Sequence, residues 1–108
     1  MTAAIWFYMT PQDPKPSMHD VLTGFYEPND VDDLAKLGAD FGTTINIING
    51  GQECGDVDED GHKKAKNRGD YYLKWLNFFG LDAEDGLDCA DQKSGFPEGG
   101  AGDVPGYF

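Results

Sequence analysis

A mainly α-helical domain with irregular connecting loops is what this sequence predicts, and three observations predict it. Between Ala65 and Phe79 the residues Arg68, Tyr72, Trp75, Leu76 and Phe79 fall at helical spacing, with Gly80 as the stop. Two short segments, 17–24 and 28–38, each open on a residue suited to starting a helix and close on glycine. Proline and glycine crowd the intervening "PQDPKP" and the final "PEGGAGDVPGYF", where neither helix nor central strand is favoured.

In chain order, "AAIWFYMT" (3–10) is a compact apolar stretch ending at Pro11, equally compatible with a buried helical turn or a short strand. Ser17 caps a short helix that Gly24 terminates. In "EPNDVDDLAKLG", Pro28 and Asp30 open a second and Gly38 closes it. The helix over 65–79 turns an aromatic face inward, and Trp6, Tyr8, Trp75 and Phe79 are assigned to the core. Gly69 inside that helix costs about 1 kcal/mol relative to alanine, so a start at Asp70 is the alternative. The segment "LDCADQKSGF" is an irregular end that Cys89 pins, followed by a Gly/Pro-rich tail over 97–108.

The 108 residues suffice for one domain with a modest core. A formal charge of −12 excludes nucleic acid and anionic membrane as natural partners, since both require a basic patch. Neutral or cationic partners fit, such as polysaccharides carrying amino or acetamido groups, or Ca²⁺. An aromatic content of 13% argues against disorder. The apolar start is too short for a membrane span and lacks the basic region of a signal peptide. Cys54 and Cys89 allow one disulfide, and hence an oxidising compartment, or two buried thiols; without a C-x-x-C or neighbouring His they make a poor zinc site.

Four stretches, "TAAIWFYMTPQDPKPSMHDVLTG", "NIINGGQECG", "NRGDYYLKWLNFFGL" and "GLDCADQ", resemble in order and spacing the C-terminal part of the family 19 glycoside hydrolases, the plant-type chitinases. The resemblance covers about Thr2 to Phe96. It implies a lysozyme-like, largely helical fold, with residues 1–96 forming the C-terminal lobe and one wall of a chitin cleft. It also implies an extracellular protein without a cofactor, and a Cys54–Cys89 disulfide. The family hydrolyses β-1,4-linked N-acetylglucosamine polymers with inversion, one Glu protonating the leaving oxygen and a second carboxylate activating water.

Both family acids lie upstream of the segment matching "AIWFYMT", the first in a His-Glu pair. Here His19 precedes Asp20 and His62 precedes Lys63. The expected catalytic residues within this chain are therefore none, and an N-terminal lobe or partner chain is expected to supply them. Met1 directly before the matching "TA" suggests a truncated, cleaved or excised chain. The alternatives are a non-catalytic oligosaccharide-binding module and an acidic extracellular structural protein.

The resemblance assigns Gln12, Lys15 and Asn49 to the saccharide, and Glu53 and Arg68 to an ionic network beside the general acid. The amides within "TTINIINGG" need partners if buried. Asn46 is expected to satisfy backbone groups in its own helical turn, Asn49 to face the cleft, and Gly50 and Gly51 to end the helix. Where plant members read "RIGFY" this chain reads "RGDYY", and the loop from Glu53 to Arg68 is about three residues longer. Within it, Asp56, Asp58, Asp60 and Gly61 reproduce the front half of a Ca²⁺ loop, although Asn67 stands where the bidentate Glu belongs. A solvated acidic loop is the primary reading there and Ca²⁺ the alternative.

Overall fold

The computed structural model describes residues 2–99. Five helices follow one another: α1 (Thr2–Met9), α2 (Met18–Thr23), α3 (Asp30–Leu34), α4 (Phe41–Glu53) and α5 (Glu59–Phe78). The described residues contain no strand, only an isolated antiparallel bridge between Gln12 and Lys15. Helix α4 is central, packing on α5 and α2, and α1 packs on α2. Of the tail expected over 97–108, everything past Gly99 lies outside the described residues.

Capping sets the short helices. The Ser17 hydroxyl accepts from the Asp20 N–H at 3.0 Å, and Gly24 closes α2 in the left-handed region. Helix α3 opens on Asn29 rather than on Pro28 or Asp30. The Asn29 side chain accepts from the N–H groups of Val31 and Asp32, while the Asp32 carboxylate accepts from the Asn29 N–H, a complete capping box. It ends at Ala35, with Lys36 at φ 63°, so the turn comes before Gly38.

Helix α4 begins at Asp40, whose carboxylate accepts from both the N–H and the hydroxyl of Thr43. Thr43 to Ile47 are all buried. Asn46 is structural, but its partners lie across the fold rather than in its own turn. Its amide donates to Gln92 Oε1 and to the Lys93 carbonyl, and its oxygen accepts from the Gly95 N–H. Gly50 is required beneath it, because a Cβ there would overlap Asn46 Oδ1. The glycines do not end the helix; it breaks at Asn49 and resumes to Glu53.

Helix α5 starts at Glu59, not at 65 or 70, and so most of the expected acidic loop is helical. Asp58 caps it, accepting from the Gly61 N–H at 2.9 Å, and His62 Nε2 donates to the Gly55 carbonyl at 2.7 Å. The buried face is a row of small residues, Gly61, Ala65 and Gly69. A Cβ at Gly61 would overlap the Gln52 carbonyl oxygen, and one at Gly69 would lie 2.7 Å from that of Leu87. Close backbone approach thus outweighs the helix propensity lost at the two glycines.

Two small cores result. Met18, Val21, Tyr26 and Ile47 form one, with Phe7, Tyr8 and Phe96 at its edge; Ile45, Ala65 and the Cys54–Cys89 disulfide form the other, with Phe41 alongside. Phe41 stacks on Tyr72 at 4.1 Å. The assignment of Trp6, Trp75 and Phe79 to the core is overturned: they are 58%, 56% and 67% exposed. Helix α1 is apolar all round yet has no buried residue.

Candidate functional site

The break in α4 creates the site. At Asn49 the backbone leaves helical geometry (φ −150°, ψ 40°), and its side-chain amide donates to Glu53 Oε2 at 2.9 Å. Two residues before Asn49, the Ile47 carbonyl accepts from Lys15 Nζ at 3.0 Å. Gln12 and Lys15 are joined through two backbone hydrogen bonds of 3.0 and 2.7 Å, so the proline-rich loop is fastened to α4 beside the break. Gln12 itself is exposed.

Glu53 is the fully buried end of this group. Arg68, reaching across from α5, grips it with Nε on Oε1 at 2.8 Å and Nη2 on Oε2 at 3.0 Å. Fork-to-carboxylate pairing of this kind is strong and fixes orientation. Both ends are anchored: Glu53 directly precedes Cys54, bridged to Cys89 with a Cα–Cα distance of 4.9 Å, and Arg68 directly precedes Gly69, which lies against the Leu87 backbone. The Arg68 side chain stays 40% exposed.

Electrostatics follow from this geometry. The Arg68 hydrogen bonds hold the Glu53 carboxyl below its ordinary range; burial opposes them, and the Asn49 amide adds to them. The Arg68 guanidinium is raised in turn by Glu53. A carboxylate held in this way stays ionised and cannot serve as a proton donor near neutral pH. Its role is to fix Arg68 and Asn49. Asn49 spends one N–H on Glu53, which leaves its amide oxygen and second N–H able to meet hydroxyl or acetamido groups.

Asp40 is the contrasting carboxyl, raised mainly by burial. It caps the opposite end of α4, roughly 20 Å along a helix of this length. It is therefore no partner for Glu53, because an inverting carboxylate pair is separated by about 6.5–9.5 Å.

The three aspartates of the Ca²⁺ reading do not assemble into a site. Asp56, Asp58 and Asp60, with Gln52 and Lys64, line an open depression of about 490 Å³. Among the described residues no group of three or more His, Cys, Asp or Glu side chains is placed to hold a metal ion. Asp58 is occupied as the α5 cap, and helix from Glu59 onward removes the loop that ligation would need.

Sequence reasoning missed the buried amide cluster behind the site. Gln92 Nε2 donates to Thr43 Oγ1 at 3.1 Å, and the Ser94 hydroxyl donates to the Gly50 carbonyl at 2.8 Å. These bonds fasten residues 92–95 along α4 through Asn46 and Gly50. No periodic pattern marks Gln92; its one signal is its position three residues after Cys89.

Comparison with known proteins adds two findings. The family model for chitinase class I, glycoside hydrolase family 19, matches residues 1–89. Relatives include Endochitinase 1 of Solanum tuberosum, 45% identical over 92 residues, which is 85% of this chain and 28% of that protein. Endochitinase A2 of Pisum sativum is 43% identical over 90 residues, 83% of this chain and 27% of that protein. Endochitinase CH25 of Brassica napus is 42% identical over 92 residues, with 85% and 28% covered. The chain thus spans less than a third of the length of these relatives.

Proposed function

Because the chain belongs to the chitinase class I family of glycoside hydrolases, we propose that it supplies one wall of a chitin-binding cleft, with the catalytic carboxylates contributed by polypeptide outside these 108 residues. The observation that carries this reading is the Asn49–Glu53–Arg68 group. Its carboxylate is fully buried and accepts three hydrogen bonds of 2.8 to 3.0 Å, so it serves as an anchor, not an acid.

Inverting hydrolysis needs one carboxyl protonated at the leaving oxygen and another ionised beside a water on the far side of the sugar ring. Glu53 fills neither role here. The partly exposed Arg68 guanidinium instead offers a fixed positive charge at the cleft wall, able to bias a carboxyl brought near it toward ionisation. Asn49 orients an N-acetylglucosamine unit through its free amide groups, and Gln12 contacts the sugar from the adjoining loop. Lys15, whose ammonium is taken by the Ile47 carbonyl, acts chiefly by holding that loop against α4. In this reading residues 1–96 form the C-terminal lobe, and the Cys54–Cys89 bridge supports an extracellular location.

Chito-oligosaccharide titration followed by NMR tests this. Shifts centred on Gln12 and Asn49, lost in Asn49→Ala, are expected, without turnover. Turnover by the chain alone would show that it holds its own acid and base, and the absence of any sugar-dependent shift would remove the cleft-wall role.

A further inference from the structure

The break in α4 at Asn49 is bracketed by side chains from two distant segments. Before it, the Ile47 carbonyl accepts from Lys15 Nζ at 3.0 Å. After it, the carbonyl of the buried Gly50 accepts from the Ser94 hydroxyl at 2.8 Å and from the Cys54 N–H at 3.0 Å, so both of its lone pairs are used. At Asn49 itself φ is −150° and ψ is 40°. Each angle lies roughly 80–90° from its α-helical value, and a return to regular helix would re-aim the side chain.

Local sequence does not hold this geometry. Two glycines follow Asn49, and a Cβ at Gly51 would meet nothing within 4 Å. Gly50 admits no stiffer residue, because a Cβ there would overlap Asn46 Oδ1. The restraint therefore comes from outside the helix, and on the C-terminal side of the break a side-chain restraint comes from Ser94. The strand of chain that carries Ser94 is itself fastened on both sides. The Lys93 N–H donates to the Ala35 carbonyl at 2.9 Å, the Asn46 amide donates to the Lys93 carbonyl at 2.9 Å, and the Gly95 N–H donates to Asn46 Oδ1 at 2.8 Å. Ser94 lies at the surface, outside both cores, so its hydroxyl acts on the Gly50 peptide and not on packing.

We propose that Ser94 is a positioning residue for saccharide binding. By holding the Gly50 carbonyl it keeps the break open, so that the half-buried Asn49 spends one N–H on Glu53 and turns the rest of its amide toward the sugar. The inference rests on the reading that Asn49 meets N-acetylglucosamine, and it names the group, 45 positions further along the chain, that sets the aim of that amide.

The test compares the 108-residue chain with Ser94→Ala, Ser94→Thr and a control, Thr44→Ala, using a chitin hexamer as the probe. The Thr44 hydroxyl donates to the Phe41 carbonyl at 2.6 Å near the other end of α4, away from the break. At a temperature where circular dichroism shows every variant folded, Ser94→Ala should weaken hexamer binding by roughly 5–10-fold, the worth of one hydrogen bond. Ser94→Thr, which keeps the hydroxyl, should restore it. Without sugar, NMR titration of the Glu53 carboxyl should give a higher midpoint in Ser94→Ala than in the parent, because Arg68 and then the Asn49 amide hold it low. Thr44→Ala should lower Tm and leave both readings at their parental values. Parental affinity and midpoint in Ser94→Ala overturn the inference, and so do equal changes in Thr44→Ala, which would mark a merely structural effect. A parent chain that binds no hexamer removes the cleft-wall reading instead, and the Glu53 midpoint still decides whether Ser94 sets Asn49.

Discussion

Arg68 holds Glu53 through two hydrogen bonds, of 2.8 and 3.0 Å, and the two partners are unequally buried: Glu53 is sealed from solvent while 40% of the Arg68 side chain is exposed. Removing either one therefore has unequal consequences. Arg68→Ala leaves a buried carboxylate without its counter-charge and should cost about 3–5 kcal/mol. Glu53→Gln leaves an arginine that can turn toward water and keeps an acceptor for Asn49, so about 1–2 kcal/mol is expected. Urea unfolding at neutral pH measures both, and equal losses would contradict the asymmetry.

The same pair gives the fold an acid-sensitive component. The Glu53 carboxyl is lowered in the folded state, chiefly by Arg68, from an ordinary value of 4.5. Its stabilising contribution is complete above that ordinary value. It declines as the pH falls below 4.5 and is gone once the pH has passed the lowered folded-state value. Asp40, raised by burial, works in the opposite sense and gains from protonation. The difference in stability between the parent and Glu53→Gln should therefore shrink between neutral pH and about pH 3, and a difference independent of pH would exclude the electrostatic account.

The disulfide closes a span of 35 residues between α4 and the segment that fastens back along it. Loop-closure entropy for that length is worth about 3–4 kcal/mol. A Cys54→Ser/Cys89→Ser variant should lose that amount in chemical denaturation, and should also loosen Glu53, its immediate neighbour. Retention of full stability would mean that the contacts of residues 92–95 alone suffice.

Asn46→Ala should destabilise by about 2–3 kcal/mol, since it strips partners from Gln92, the Lys93 carbonyl and the Gly95 N–H at a buried position. Gly50→Ala should be as damaging for a steric reason, because its methyl would occupy the place of Asn46 Oδ1. Thermal melts of the two variants and the double variant test the coupling; strict additivity would contradict it.

The caps of α2 were readable because Ser17 and Gly24 act locally, within one turn of their own residues. The disulfide was readable only through the whole resemblance, since two cysteines leave thiols as an alternative. Helix α5 stops at Gly80 as its pattern indicates, but it starts earlier than expected and its last turn is not buried. Its first turns are polar on the outside and bury only Gly61 and Ala65, so no hydrophobic periodicity announces them. Its last turns have the periodicity, yet Trp75 and Phe79 are more than half exposed, so helical spacing of aromatic residues there did not mean burial. The i, i+4, i+8 spacing of Gly61, Ala65 and Gly69 was the available signal. At the site, Asn49, Glu53 and Arg68 could be singled out by resemblance, but no local pattern announces the break at Asn49, whose neighbour Gly50 is held through its carbonyl by Ser94, 44 residues on.

Incubating the purified 108-residue chain with a chitin hexamer, and following both binding and products, tests the central claim most directly. The account predicts saturable binding that Asn49→Ala abolishes, and no cleavage at any pH between 4 and 8. Cleavage by the chain alone, with the product anomer inverted, would contradict it.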